Sequence, residues 1–210
     1  MTGQLGLPLS AQSQAGGDER LFLSEANHKA AVRLEQCKSW PEAAAALVGP
    51  PGSGKSRLAR HAAAASAGQL HVLESLSPAE LDEPALFHNL VRAATDRSPL
   101  LLVTETPPTS WSVELPDLRS RLAVLPIIPI EAPDETLIAE LLGQEFVARG
   151  LSVKPDVLSY AAQRLERRYD AVQRLAARID RAALVEKRNV SIPFVRRLLA
   201  DTSETETEAT

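Results

Sequence analysis

The stretch Gly49-Pro50-Pro51-Gly52-Ser53-Gly54-Lys55-Ser56 constrains this chain more than any other. It fits G-x-x-x-x-G-K-[ST] at every fixed position, and each position has a physical task. The glycines let the backbone curl so that successive N–H groups point inward, Lys55 reaches outer phosphates, and the Ser56 hydroxyl serves Mg²⁺. The flanks agree: residues 43–48 are an apolar run of strand length, and residues 57–66 are an alanine-rich run that can be helical. A strand, a loop and then a helix set the partial positive charge of the helix N-terminus beneath an anion. The segment therefore reads as a nucleotide site, with Gly49, Pro50, Pro51, Gly52, Ser53, Gly54, Lys55, Ser56 and Arg57 as contacts. The expected cofactors are ADP or ATP and Mg²⁺.

Composition bounds the rest. A net charge of −4 and a pI near 5.6 over 210 residues give no global attraction to nucleic acid, so any polyanion contact must be local. The lone Cys37 argues for a reducing, cytoplasmic setting without structural disulfides. Histidines 28, 61, 71 and 88 have no ligand spacing, and no apolar stretch has membrane-spanning length.

Along the chain, residues 1–19 are polar apart from Gln4-Leu5-Gly6-Leu7-Pro8-Leu9. Gly6 and Pro8 disfavour a helix. The segment reads as an extended peptide whose leucines either enter a partner's groove or add a strand to the domain's own edge. Globular patterning starts at Leu21, and Ser24-Glu25-Ala26-Asn27 opens a helix. Residues 21–27 serve either the base side of a nucleotide or the core.

Beyond the loop helix, residues 70–73 read as a second strand ending at Glu74. Residues 81–94 read as an amphipathic helix, and residues 99–103 as a third, Leu-rich strand ending in Thr104-Glu105-Thr106. Apolar strands alternating with helices specify an α/β fold, a parallel sheet wrapped by helices with ligand beyond the strand carboxyl ends. Hydrolases of this class carry paired acids there, one holding Mg²⁺ through water and one polarising the attacking water. Leu73-Glu74-Ser75 supplies one acid, which either faces the metal or merely finishes the strand. Residues 115–122 are a short helix candidate, followed by an apolar strand over 124–130. Arg119 and Arg121, two apart, cannot share a helix face; an outward one either completes a neighbour's site or is solvated.

Ala132-Pro133-Asp134-Glu135 marks a boundary. Helices are read over 134–149, 155–166, 169–187 and 191–199, with Asp134 and Ser191 as N-caps and Gly150 closing the first. The organisation is a tail (1–20), an α/β nucleotide-binding domain (21–132), a helical lid (133–200) and an acidic tail (201–210) that composition reads as disordered. From Arg164 to Arg197 ten Lys/Arg stand against four Asp/Glu, a positive surface that either meets DNA or an acidic protein face or is solvated.

A phosphate-loop domain followed by a helical lid is the AAA+ arrangement. Asn27, the loop at 49–56, Thr106-Pro107-Pro108 through Trp111 and Leu115-Pro116-Asp117-Leu118-Arg119-Ser120-Arg121-Leu122 carry a more specific likeness. With Ile179-Asp180-Arg181-Ala182, Glu186-Lys187-Arg188 and Ile192-Pro193-Phe194-Val195, they resemble the Hda family, relatives of the bacterial replication initiator DnaA that lack its DNA-binding domain. The resemblance covers residues 4–199. It implies a regulator of chromosome replication initiation that docks on the DNA polymerase III sliding clamp (beta subunit) through Gln4, Leu5, Leu7, Pro8 and Leu9. It also implies nucleotide binding with Asn27 at the site, Thr104 at a sensor position, and Arg121 as an arginine finger acting in trans on ATP held by DnaA. Weak DNA contact through the lid arginines and a homodimer stay open as further associations.

Two departures stand out. The lid position that normally carries a phosphate-reading arginine is Asp170, and the segment between Ser66 and Glu83 is too short for two strands. One strand, or the usual acidic pair, is missing, so ATP hydrolysis by the chain itself is expected to be weak or absent. The alternatives are an autonomous ATPase of the helicase-loader type, for which the acidic pair and lid arginine are lacking, and a DnaA-like adaptor with a vestigial nucleotide site, against which Lys55-Ser56 argues.

Overall fold

Strand β1 (Ala44–Val48) is buried along its whole length, as a strand covered on both faces must be. The computed structural model describes residues 25–76 and 78–205. Around β1 the order is α1 (Glu25–Glu35), β1, α2 (Lys55–Ala65), β2 (His71–Leu76), α3 (Glu83–Asp96), β3 (Leu100–Thr104), α4 (Pro116–Ala123) and β4 (Ile127–Pro129). Among the described residues these strands form one parallel sheet in the order β2-β3-β1-β4. Alternation sends Ala45, Leu47, Leu101, Val103 and Ile128 to the side of α1 and α2. Ala44, Ala46, Val48, Leu100 and Leu102 go to the side of α3 and α4. The sheet is thus sandwiched as its two-faced strands predict.

The lid follows: α5 (Glu135–Ala148), α6 (Pro155–Ala162), α7 (Tyr169–Glu186) and α8 (Ile192–Thr205), around a core of its own that includes Ile138, Leu142, Phe146, Val172 and Ile179. Asp134 caps α5, its Oδ1 accepting from the Leu137 amide at 2.7 Å. Gly150, at φ +72, ends it in a Schellman closure, with the Leu151 N–H on the Phe146 carbonyl at 2.8 Å and the Gly150 N–H on that of Val147 at 3.0 Å.

Four elements differ from their sequence reading. β2 does not end at Glu74 but runs to Leu76, with a register shift between Leu73 and Leu76. Among the described residues it is an edge strand paired only to β3, where a bulge costs little. β4 is limited to Ile127–Pro129 because the amides of Val124 and Leu125 close the end of α4 instead, bonding the carbonyls of Arg121 and Leu122. α6 stops at Ala162 rather than at residue 166; the Arg164 and Leu165 amides both turn back to the Ala161 carbonyl. α8, finally, continues past Leu199 to Thr205, through a stretch with neither Gly nor Pro to stop it, so the helix takes in the first half of the tail read as disordered. The peptide Gln4, Leu5, Leu7, Pro8 and Leu9, and residues 21–24 of the base-side segment, lie outside the described residues.

Candidate functional site

The loop after β1 lies at the carboxyl edge of the sheet. Gly52 and Gly54 hold φ +76 and +79, values that favour glycine, and Lys55 begins α2 directly after Gly54. A Cβ on Gly49 would meet Ser53 Oγ at 2.9 Å and Ile130 Cβ at 3.1 Å, so that glycine lets the loop close against Ile130, just past β4. Lys55 Nζ donates to the carbonyls of Gly49 (2.7 Å) and Pro50 (2.8 Å), folding back over the loop. Burial pulls the Lys55 pKa below its ordinary value, and the Glu105 carboxylate works in the opposite direction.

Glu105 is near because β3 is the neighbour of β1. Val48 pairs with Thr104, and the Gly49 N–H donates to the Thr104 carbonyl at 3.3 Å. Thr104 is 2% exposed, and its hydroxyl donates to the Thr106 carbonyl at 2.7 Å, turning the chain toward Trp111, whose indole N–H reaches Thr106 Oγ1 at 3.2 Å. Glu74 is exposed within the edge strand, one strand farther out than β3. The carboxylate that acts electrostatically on Lys55 is therefore Glu105, which the sequence placed at a strand end without singling it out.

The lid closes over the other side. Tyr169, the first residue of α7, is 3% exposed and packs with the α/β core rather than that of the lid. Its hydroxyl donates to the Glu131 carbonyl at 3.1 Å, and burial, with the Asp134 carboxylate adding, pushes its pKa up to about 12. Arg57 donates to Gln144 Oε1 of α5 at 2.7 Å. These contacts narrow the space beside Asn27, Ser53, Leu137 and Tyr169 to about 30 Å³, water-sized rather than base-sized. A wider cavity of about 400 Å³, within the range of ligand pockets, lies between Pro50-Pro51, Ala132-Pro133 and residues 167–170.

Asp170 lines that cavity with its charge already matched. Arg168 donates to both oxygens (3.0 and 2.7 Å) and Arg174 to Oδ2 (2.9 Å), and the Arg168 bond leads in holding the carboxyl below its usual pKa. The lid side chain nearest the middle of the loop is a different one. A Cβ on Gly52 would stand 2.8 Å from Nε2 of Gln173 and 3.2 Å from its Cδ. Nothing in the local sequence marks Gln173 except that it lies three residues, one helical turn, past Asp170.

Arg121 belongs to another part of the molecule. Helix α4 is fixed by Leu118 and Leu122, at most 1% exposed. The Glu83 carboxylate accepts from the Glu114 amide (2.8 Å) and the Leu115 amide (2.8 Å) just before the helix. Arg119 turns back to the Val113 carbonyl. Arg121 instead pairs with Glu42 at 3.3 Å, its guanidinium 5.7 Å from the Phe87 ring centroid and its side chain 35% exposed. Glu42 and Ala43 both hold positive φ, +53 and +52, and precede β1, so Arg121 sits at the end of β1 opposite the phosphate loop.

The loop fits a nucleotide. Ser53 Oγ is buried without a hydrogen-bond partner, the first turn of α2 has no side-chain cap, and the space where a Gly54 Cβ would stand is open. An orphan hydroxyl and a helix N-terminus without a side-chain cap are thus available to an anion at the loop. Among the described residues no three His, Cys, Asp or Glu are grouped to hold a metal. No helix among those residues is long and apolar enough to cross a membrane.

Comparison with known proteins gives this geometry a context. Residues 134–199 match the family model described as the lid domain of Hda. Domain III of the Thermotoga maritima replication initiation protein DnaA superposes with a TM-score of 0.60 at 14% identity, covering 85% of this chain and 93% of that one. A replication initiator DnaA bound to AMPPCP and single-stranded DNA gives 0.57 at 15% identity, covering 80% and 66%. The Thermotoga maritima RuvB Holliday junction branch migration motor gives 0.54 at 18%, covering 82% and 66%. The chain thus spans about two thirds of the longer of these proteins. The sheet and the helices after it share the fold of these AAA+ proteins, and residues 134–199 are similar to the lid domain of Hda.

Proposed function

We propose that this protein binds ADP or ATP in the loop at 49–56 and regulates replication initiation by presenting Arg121 to ATP held by the initiator DnaA. In this reading it docks on the sliding clamp through Gln4, Leu5, Leu7, Pro8 and Leu9. The observation that carries it is the placement of Arg121 beside Glu42. A five-residue strand spans about 16 Å, so the guanidinium stands far from the chain's own phosphates and keeps a third of its side-chain surface open to a partner. A guanidinium brought to another protein's γ-phosphoryl group stabilises its transition-state charge and raises kcat by about 10³- to 10⁵-fold.

The same geometry favours weak turnover by the chain itself. Glu74 projects from an edge strand, while Glu105 is a single acid poised beside Lys55 where hydrolases of this class use two. A bound nucleotide would supply the phosphates and, with Mg²⁺, the cation. Lys55 and the loop amides would hold those phosphates, Ser56 would offer its hydroxyl to the cation, and Thr104 would brace the loop through Gly49. The fold neighbour solved with AMPPCP supports nucleotide binding by analogy.

The test is hydrolysis of DnaA-bound ATP in the presence of DNA-loaded clamp. Wild-type protein stimulates it, Arg121→Ala does not, and deletion of residues 4–9 removes capture by the clamp in a pull-down. Stimulation retained in Arg121→Ala would remove the finger, and clamp capture retained after the deletion would remove the docking peptide.

A further inference from the structure

We infer that Gln173 is the lid's contact to the phosphates of the bound nucleotide, an uncharged donor that makes the site read a diphosphate and a triphosphate alike. This rests on the nucleotide reading of the loop at 49–56. Helix α7 starts from a fixed point, since Tyr169 is locked into the α/β core and bonded to the Glu131 carbonyl. One turn separates Asp170 from Gln173, so both lie on one side of the helix, but their side chains meet different surroundings. Both oxygens of Asp170 are taken by Arg168 and Arg174, whereas the Gln173 amide lies over Gly52, its Nε2 2.8 Å from where a Cβ would stand. The remaining arginine at that end of the helix, Arg167, pairs with Glu135 at 3.2 Å.

The arginines at the start of α7 are thus engaged in local ion pairs, and the group over Gly52 is a carboxamide with two N–H donors and no net charge. A charged donor bonds phosphate about twice as strongly as a neutral one and gains further from each added phosphate charge. A carboxamide gains little, so an additional phosphoryl group goes largely unread.

The experiment is equilibrium titration of the full chain with fluorescent ADP and ATP in Mg²⁺, with circular dichroism to verify folding. For wild type the two Kd values lie within about threefold. Gln173→Ala weakens both by the same factor, about three- to tenfold for one hydrogen bond. Gln173→Arg shifts the ADP/ATP ratio toward ATP by about tenfold, the size of one charge–charge interaction at a solvent-facing site. Unchanged affinities in Gln173→Ala, or a wild-type ratio in Gln173→Arg, overturns the inference while leaving the nucleotide site standing. Wild-type protein that binds neither nucleotide overturns both.

Discussion

Replacing Tyr169 with phenylalanine removes a single oxygen from the joint between the α/β domain and its lid. The ring stays 3% exposed in the same core, but the Glu131 carbonyl loses the donor now 3.1 Å away. Below pH 9 the loss should cost about 1–2 kcal/mol, the penalty for leaving a buried acceptor unsatisfied. The pH dependence sharpens the expectation. The phenol's pKa is raised from 10.0 to about 12 in the folded protein, so its protonated form is favoured there. That contribution is whole below pH 10 and is lost as pH rises through 12. Relative to Tyr169→Phe, wild type should lose about 1.4 kcal/mol by pH 11, one pKa unit's worth. Chemical denaturation of both proteins between pH 8.5 and 11 measures this directly, because other groups titrate alike in the two and cancel in the difference. A gap that stays constant over that range would refute the account of a buried, carbonyl-bonded phenol at the domain joint.

Glu83→Ala strips the acceptor from the amides of Glu114 and Leu115 ahead of α4. It should cost about 1–2 kcal/mol in urea unfolding and lower stimulation of DnaA-bound ATP hydrolysis without altering ADP affinity; weakened ADP binding would show that α4 serves the chain's own site instead. Gly52→Ala puts a side chain on a φ of +76 and pushes the end of the Gln173 side chain off the loop. It should weaken ADP binding at least tenfold while the melting temperature falls by only a few degrees, as expected for about 1–2 kcal/mol of local strain, and near wild-type affinity would mean that loop and lid do not meet as described.

Local patterns were legible and pairings between distant segments were not. The loop at 49–56, the Asp134 cap and the Gly150 closure each depend on a few consecutive residues whose chemistry admits one backbone path. The apolar run of residues 70–73 stops before Glu74, which makes Glu74 read as a strand end. The bulge that carries β2 on to Leu76 depends on its pairing with β3, which no local pattern records. Glu105 and Thr104 stood together at a strand terminus in the sequence. That the first is the carboxylate acting on Lys55 follows only from β3 lying beside β1. Asp170 drew attention through a family expectation, yet the contact to the loop comes one turn later, at Gln173, because Tyr169 fixes where α7 begins. The separation of Arg119 from Arg121 was readable from helix geometry, whereas the pairing of Arg121 with Glu42, 79 residues earlier, was not.

In the proposed function the loop at 49–56 holds this chain's nucleotide and Arg121 plays no part in holding it. Titration of labelled ADP against wild type, Lys55→Ala and Arg121→Ala tests that division most directly. Lys55→Ala should lose at least tenfold in affinity, as expected for one charge-assisted contact, and Arg121→Ala should match wild type. Equal weakening by both would place Arg121 in its own nucleotide site and contradict the account, as would a Lys55→Ala protein that binds ADP undiminished.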